Sequence, residues 1–192
     1  MRLAGLFALA ASLWAQDYKA ARAGAPPQQL APEARRLLQS PGAKVTGPSG
    51  FLFCEVWLRT GPVAEGRSLP EAVQAGSVPA GELVGAIRYA SPGADRNGLG
   101  FGPGLYTLRH AQGDAVLMIQ ADDDPGPGPA PVEQLEESSG KVTRGRGPAL
   151  LRLTQGSPGS SPRLRMTRDG EWILHVAVGE APLSLLIVGV AK

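Results

Sequence analysis

At 192 residues and 43% hydrophobic content, the chain suits one globular domain with short extensions and can bury a sizeable core. A formal net charge of +2, which falls by one if a segment carrying Arg2 is removed, excludes both a nucleic-acid polyelectrolyte footprint and an acidic solvating tail. With 26 Gly, 18 Pro and only 5% aromatic residues, breaks come too often for long helices, which points to a turn-rich β protein.

The N-terminus reads as a targeting segment. Arg2 supplies a minimal basic region, "LAGLFALAASLW" is an apolar run, and Ala15 offers a small residue at a cleavage point, so residues 1–15 are expected to be a signal peptide. The run is too short to span a bilayer, for which about 20 apolar residues are needed. The expected location is therefore secreted or periplasmic, with no integral membrane segment after signal removal. Residues 16–41 show no strand alternation and read as a linker or a loosely docked helix, with Pro32 placed to open "PEARRLL".

Strand signals recur from residue 42 to the end. In "FLFCEVWLRT", alternation puts Leu52, Cys54, Val56 and Leu58 on one face and Phe51, Phe53, Glu55, Trp57 and Arg59 on the other. The first face is core, and Cys54 is expected to be a buried, inert thiol. It is the only cysteine, so the chain has no internal disulfide. A short strand is expected around Leu69 to Val73. "GELVGAIRYA" alternates Leu83, Gly85, Ile87 and Tyr89 against Val84, Ala86 and Arg88. "LYTLRH" and "AVLMIQA" flank "AQGD"; a loop over Ala111 to Gly113 puts Tyr106 and Leu108 on the face of Val116 and Met118.

"DDDPGPGPAP" is a surface loop and "PVEQLEESS" a short helix with Glu133, Glu136 and Glu137 outward. "RLRMTRDGEWILHVAV" reads as a hairpin on Asp169-Gly170, a pair suited to a two-residue type I′ turn. Pairing Arg168 with Glu171 then puts His175 and Ile173 with Leu164 and Met166. "LSLLIVGVA" is apolar on both faces, as a central strand would be. The sum is an all-β domain over residues 42–192, an antiparallel β-sandwich of roughly eight to ten short strands with one short helix, ahead of a small barrel.

Catalytic signals are sparse. The two histidines, His110 and His175, come with no HExxH, CxxC or HxH spacing, so neither a metal site nor a cofactor is expected. Asp122, Asp123 and Asp124 do not match a calcium loop, whose ligands alternate. No GxSxG elbow or phosphate-cradling glycine loop is present. Ligand recognition falls instead to Glu55, Trp57 and Arg59, with Arg88 and Arg109 on neighbouring strands, because a flat indole stacks while charged groups orient. The competing reading is a Glu55/Arg pair under a loop, with Trp57 burying area. Arg163, Arg165 and Arg168 along one strand invite an anionic partner, a polysaccharide or an envelope protein, unless their stems only cover apolar neighbours.

"CEVWLR", "GELVGAIRYA", "GPGLYTLRHAQGDAVLMI", "ALLRL" and "DGEWILHVAVGEAPLSLLIVGVA" resemble, in order, a group of uncharacterised secreted bacterial proteins, over about Gly42 to Lys192. The group's central hairpin is similar to G-x-Y-x-L-R-Y-A followed by G-D-H and a longer loop. Here His110 replaces the tyrosine and Ala115 stands where the histidine would be. The resemblance implies export and a β-rich domain, and no activity. The expected function is thus an exported, non-catalytic binding or structural module. Its rivals are a small hydrolase using Glu55 with His110 or His175, and a glycan-binding module presenting Trp57.

Overall fold

The computed structural model describes residues 18–63, 66–95, 97–157, 162–168 and 171–188. Residues 1–15 and the Asp169-Gly170 turn lie outside these. The protein is all-β, as the alternation predicts. Its strands are β1 (Lys19–Arg22), β2 (Ala43–Thr46), β3 (Leu52–Leu58), β4 (Leu83–Tyr89), β5 (Gly93–Ala94), β6 (Gly100–Phe101), β7 (Gly104–His110), β8 (Ala115–Gln120), β9 (Leu150–Gln155), β10 (Arg163–Met166), β11 (Trp172–Val178) and β12 (Ala181–Val188). The helices are α1 (Pro32–Leu37), α2 (Leu69–Ala75) and α3 (Val132–Val142).

Ten strands form one antiparallel sheet in the order β1-β2-β3-β4-β7-β8-β9-β12-β11-β10, and β5 with β6 makes a separate ribbon. The walls around the core belong to this single ladder, which curls until its two end strands, β1 and β10, stand side by side. Among the described residues no ladder joins them; the seam is closed by side chains, with the rings of Tyr18 and Trp172 4.8 Å apart. Inside lies the main core, including Val45, Val56, Ile87, Leu108, Met118 and Leu185.

Two stretches of chain cover the outside of the wall. α3 lays Leu135 on Leu117 and Ile119 of β8, with Glu133, Glu136 and Glu137 in solvent. Residues 23–38 cover β3 and β4, where Ala23, Leu30 and Leu38 pack on Trp57 and Ala86. Over 16–41, read as a linker or a loosely docked helix opened by Pro32, the chain supplies the helix α1 starting at Pro32 and, beyond that reading, the edge strand β1. The buried apolar positions Leu30, Ala34 and Leu38 are spaced four apart, as on one helix face, although the helix itself spans only Pro32–Leu37.

Three other expectations change. Leu69–Ala75 is a helix, not a strand: Ser68 and Glu71 form a capping box, in which the Ser68 backbone N–H and hydroxyl reach the Glu71 carboxylate at 2.9 and 2.7 Å. Phe53 and Val84 turn into the core because register shifts at Val45/Thr46 and at Leu83/Gly85 interrupt strict alternation. The β10–β11 hairpin sits one residue from the expected register. Thr167 N–H donates to the Glu171 carbonyl, and Arg163 pairs with His175, Leu164 with Leu174. That single step puts His175 and Ile173 on the arginine face and turns Leu164, with Trp172, toward the core. The β7–β8 hairpin keeps its expected faces, with Leu108 opposite Met118 and His110 opposite Val116.

Candidate functional site

The residues singled out along β3 and its end, β4 and β7 do lie on the outer wall, but the polar groups of Trp57, Arg59 and Arg109 bond within the chain, and Arg88 is tied to Glu55. Trp57 is 1% exposed and donates Nε1–H to the Gly24 carbonyl at 3.0 Å, so the N-terminal segment roofs the indole. An open Trp57 platform for a glycan is therefore absent. Glu55 lies directly across from Arg88 and forms an ion pair with it, the expected cross-strand pairing, though the Arg88 side chain stays 43% exposed.

Arg59 donates to Glu82, to the Leu83 carbonyl at 3.1 Å, to the Gly61 carbonyl at 3.3 Å and to the Pro62 carbonyl. Arg109 is fully buried and uses its whole guanidinium. Nε and Nη2 grip the Asp124 carboxylate at 2.9 and 2.6 Å, Nη1 meets the carbonyls of Gly81 and Gly128 at 2.9 and 2.6 Å, and Nη2 also meets that of Gly126. Asp124 accepts further bonds from the Thr107 hydroxyl and the Gly126 N–H. The triple-acid loop is thus tied to β7 by this pair.

Neither histidine forms a hydrogen bond with Glu55. His110 contacts two carbonyls, Nδ1 with Pro79 at 3.1 Å and Nε2 with Gly113 at 3.0 Å. His175 Nδ1 pairs with the Ser184 hydroxyl at 2.8 Å, while its Nε2 is buried without a partner. Burial, reinforced by Arg163 and Arg165, lowers the pKa of His175 below the ordinary imidazole value. The Cys54 thiol is pushed upward by burial and by the neighbouring Glu55 charge, so no thiolate forms.

The open space is elsewhere. The wall end carrying Arg22, Ala43 and Val178 is only partly covered by α2, whose Leu69 and Ala72 enter the core and which packs on β9 and β12. Beside it a cavity of about 460 Å³ remains between the β1–β2 and β10–β11 ends, lined by Arg22, Gln39, Ser40, Thr60, Pro162 and Ala177 among others. Arg22 is exposed, and among the described residues its side chain has no hydrogen bond or ion pair. Gln39 is 8% exposed and its side-chain amide likewise has no protein partner. Its backbone N–H is held by the Leu58 carbonyl at 2.9 Å, which fixes the residue in the rim. A cation, an amide and the Ser40 hydroxyl therefore line one hollow, a donor set suited to an acid group, while the Thr60 hydroxyl beside them donates to the Leu37 carbonyl at 3.3 Å.

The sequence gives little sign of this site. Its residues come from the stretch read as linker, from the "QSPG" turn and from the end of β3, and only curling of the sheet brings them together. Comparison with protein-family models, with curated proteins and with solved structures returned no match. No helix among the described residues is long and apolar enough to cross a membrane.

Proposed function

We propose that the protein is a non-catalytic binding module that holds an organic anion by its acid group in the cavity at the open end of the sheet, and that it works outside the cytoplasm. The observation that carries this reading is the pairing of an unpartnered guanidinium, Arg22, with an accessible, unpartnered amide on the otherwise buried Gln39, on the wall of a cavity of about 460 Å³. Two polar side chains that face one cavity and have no partner within the chain are available to a ligand. The arginines whose heads are buried, Arg59 and Arg109, are occupied by their own chain. No acid–base pair supports hydrolysis, since Glu55 is bound to Arg88. The basic, apolar N-terminal run supports export.

The test is a side-chain NMR titration with a small dicarboxylate and with an acidic sugar. Binding is expected to move the Gln39 amide and Arg22 Nε–H signals together, and Arg22→Gln is expected to weaken it about tenfold or more, one charge-assisted hydrogen bond's worth. Unchanged spectra with both probes overturn the reading. N-terminal sequencing of the mature protein, expected to begin after Ala15, checks the export reading.

A further inference from the structure

The seam that runs away from the cavity has a second lining of the opposite character. On β1 the side chains of Tyr18, Ala20 and Arg22 share one face, and Tyr18 and Ala20 pack against the main core while Arg22 lines the cavity. At the Tyr18 end lies an apolar slot of about 90 Å³ walled by Tyr18, Val45, Phe53, Leu164, Trp172 and Ile187. Four residues of strand, about 13 Å, separate the two ends. The small Ala20 stands between them.

We infer that the seam belongs to the binding site and that the ligand is an amphiphilic carboxylate, its acid group at Arg22 and its aliphatic tail laid along the seam into the Tyr18/Trp172 slot. The inference rests on the reading of the cavity as an anion site and adds the nature of the rest of the ligand. Three features support it. The polarity of the seam falls from one end to the other, from Arg22, Gln39 and Thr60 to six apolar or aromatic side chains. The strands on either side, "KAAR" and "RLRM", carry cations and no acid, so an anion is favoured and a cationic amphiphile is not. Finally, side chains alone close this part of the wall, so rotation of Tyr18 and Trp172 can admit a chain without breaking a backbone ladder.

The experiment is a calorimetric titration of the full chain with acetate, hexanoate, octanoate and decanoate below micelle formation, with decanol as an uncharged tail. Affinity is expected to rise about fourfold per methylene, the value of one buried CH₂, and to level off once the slot is full. Arg22→Gln should weaken every carboxylate by the same factor. Ala20→Leu, which narrows the passage, should abolish the dependence on length and spare short anions. Short anions binding with no gain from added methylenes overturn this inference and leave the anion site standing. No binding by any carboxylate overturns both. Length-dependent binding that Arg22→Gln does not touch overturns the placement of the acid group. The wild-type length series decides the matter even if Ala20→Leu does not fold.

Discussion

Removing the carboxylate of Asp124 tests whether the charged residues of the outer wall are structural. In the wild type, Arg109 is 0% exposed and makes two bonds to Asp124 within 2.9 Å, besides those to backbone carbonyls. Hydrogen bonds to charged groups contribute about 1.5–3 kcal/mol each, so the two together amount to about 3–6 kcal/mol. Breaking a buried pair from one side independently costs about 3–5 kcal/mol, because the remaining charge stays buried. Asp124→Ala is therefore expected to destabilise the protein by about 4 kcal/mol. At an m-value of about 2 kcal/mol/M this lowers the urea midpoint by about 2 M, read by tryptophan fluorescence. Arg109→Met should also destabilise, since it strips donors from the Gly81 and Gly128 carbonyls. Adding Asp124→Ala to Arg109→Met should then cost much less than it does alone, with a coupling energy of about 1–3 kcal/mol. A loss below about 1 kcal/mol for Asp124→Ala, or strict additivity, would refute the structural assignment and return Arg109 to the pool of ligand-binding candidates.

Three further outcomes follow from buried groups. The folded protein holds His175 below the ordinary imidazole value of 6.5, so the unfolded chain binds this proton at higher pH than the folded one. Stability should accordingly fall as pH drops through about 6.5 toward the lowered folded value, and His175→Asn should flatten that slope in urea titrations between pH 5 and 7. If the two proteins keep parallel slopes, the ring is not held neutral. Cys54 is 0% exposed with its thiol pKa raised, so a maleimide should label it only along the unfolding curve; stoichiometric labelling in native buffer would contradict its burial. Gly42→Ala would bring a methyl to within 2.5 Å of the Trp57 ring and the Val56 carbonyl. A loss of about 1–3 kcal/mol is expected by thermal melting, and an unchanged midpoint would mean the indole is not roofed as described.

Much of the sheet is legible in the sequence because half-buried strands advertise themselves. Two apolar-rich runs, Leu105–His110 and Ala115–Ile119, flank a short connection, and the expected faces of β7 and β8 are the observed ones. Legibility fails where one residue is gained or lost. Phe53 and Val84 sit at register shifts, which leave no compositional mark, and the β10–β11 hairpin moves by one position although Asp-Gly favours a two-residue turn. The helix at Leu69 was readable from "SLPE", a capping-box spacing with proline in the first turn, once that signal is weighted above the apolar run. The coverage of Trp57 was not readable, since the roof is a Pro- and Gln-bearing segment whose contacts with β3 and β4 are all distant in sequence.

The same physics explains why the arginines that look most functional in the sequence are the least available. A guanidinium that directly follows a buried strand leucine, as Arg59 follows Leu58 and Arg109 follows Leu108, is carried into the wall with it. It must then be met by a carboxylate and carbonyls, and the chain supplies them from Glu82, Pro62, Asp124 and Gly128. Arg22 lies on a short edge strand between alanines and the rim, so nothing forces its burial and nothing is built to satisfy it. Its freedom comes from the one place where the sheet does not close on itself. If the seam were zipped by a β1–β10 ladder, the route proposed between the hollow beside Arg22 and the slot beside Tyr18 would be closed. A disulfide engineered across the end strands, between Ala20→Cys and Leu164→Cys, should on this account stabilise the fold and suppress binding of long carboxylates, both reversed by reduction. A cross-linked protein that binds decanoate as well as its reduced form would show that the unpaired seam plays no part in recognition.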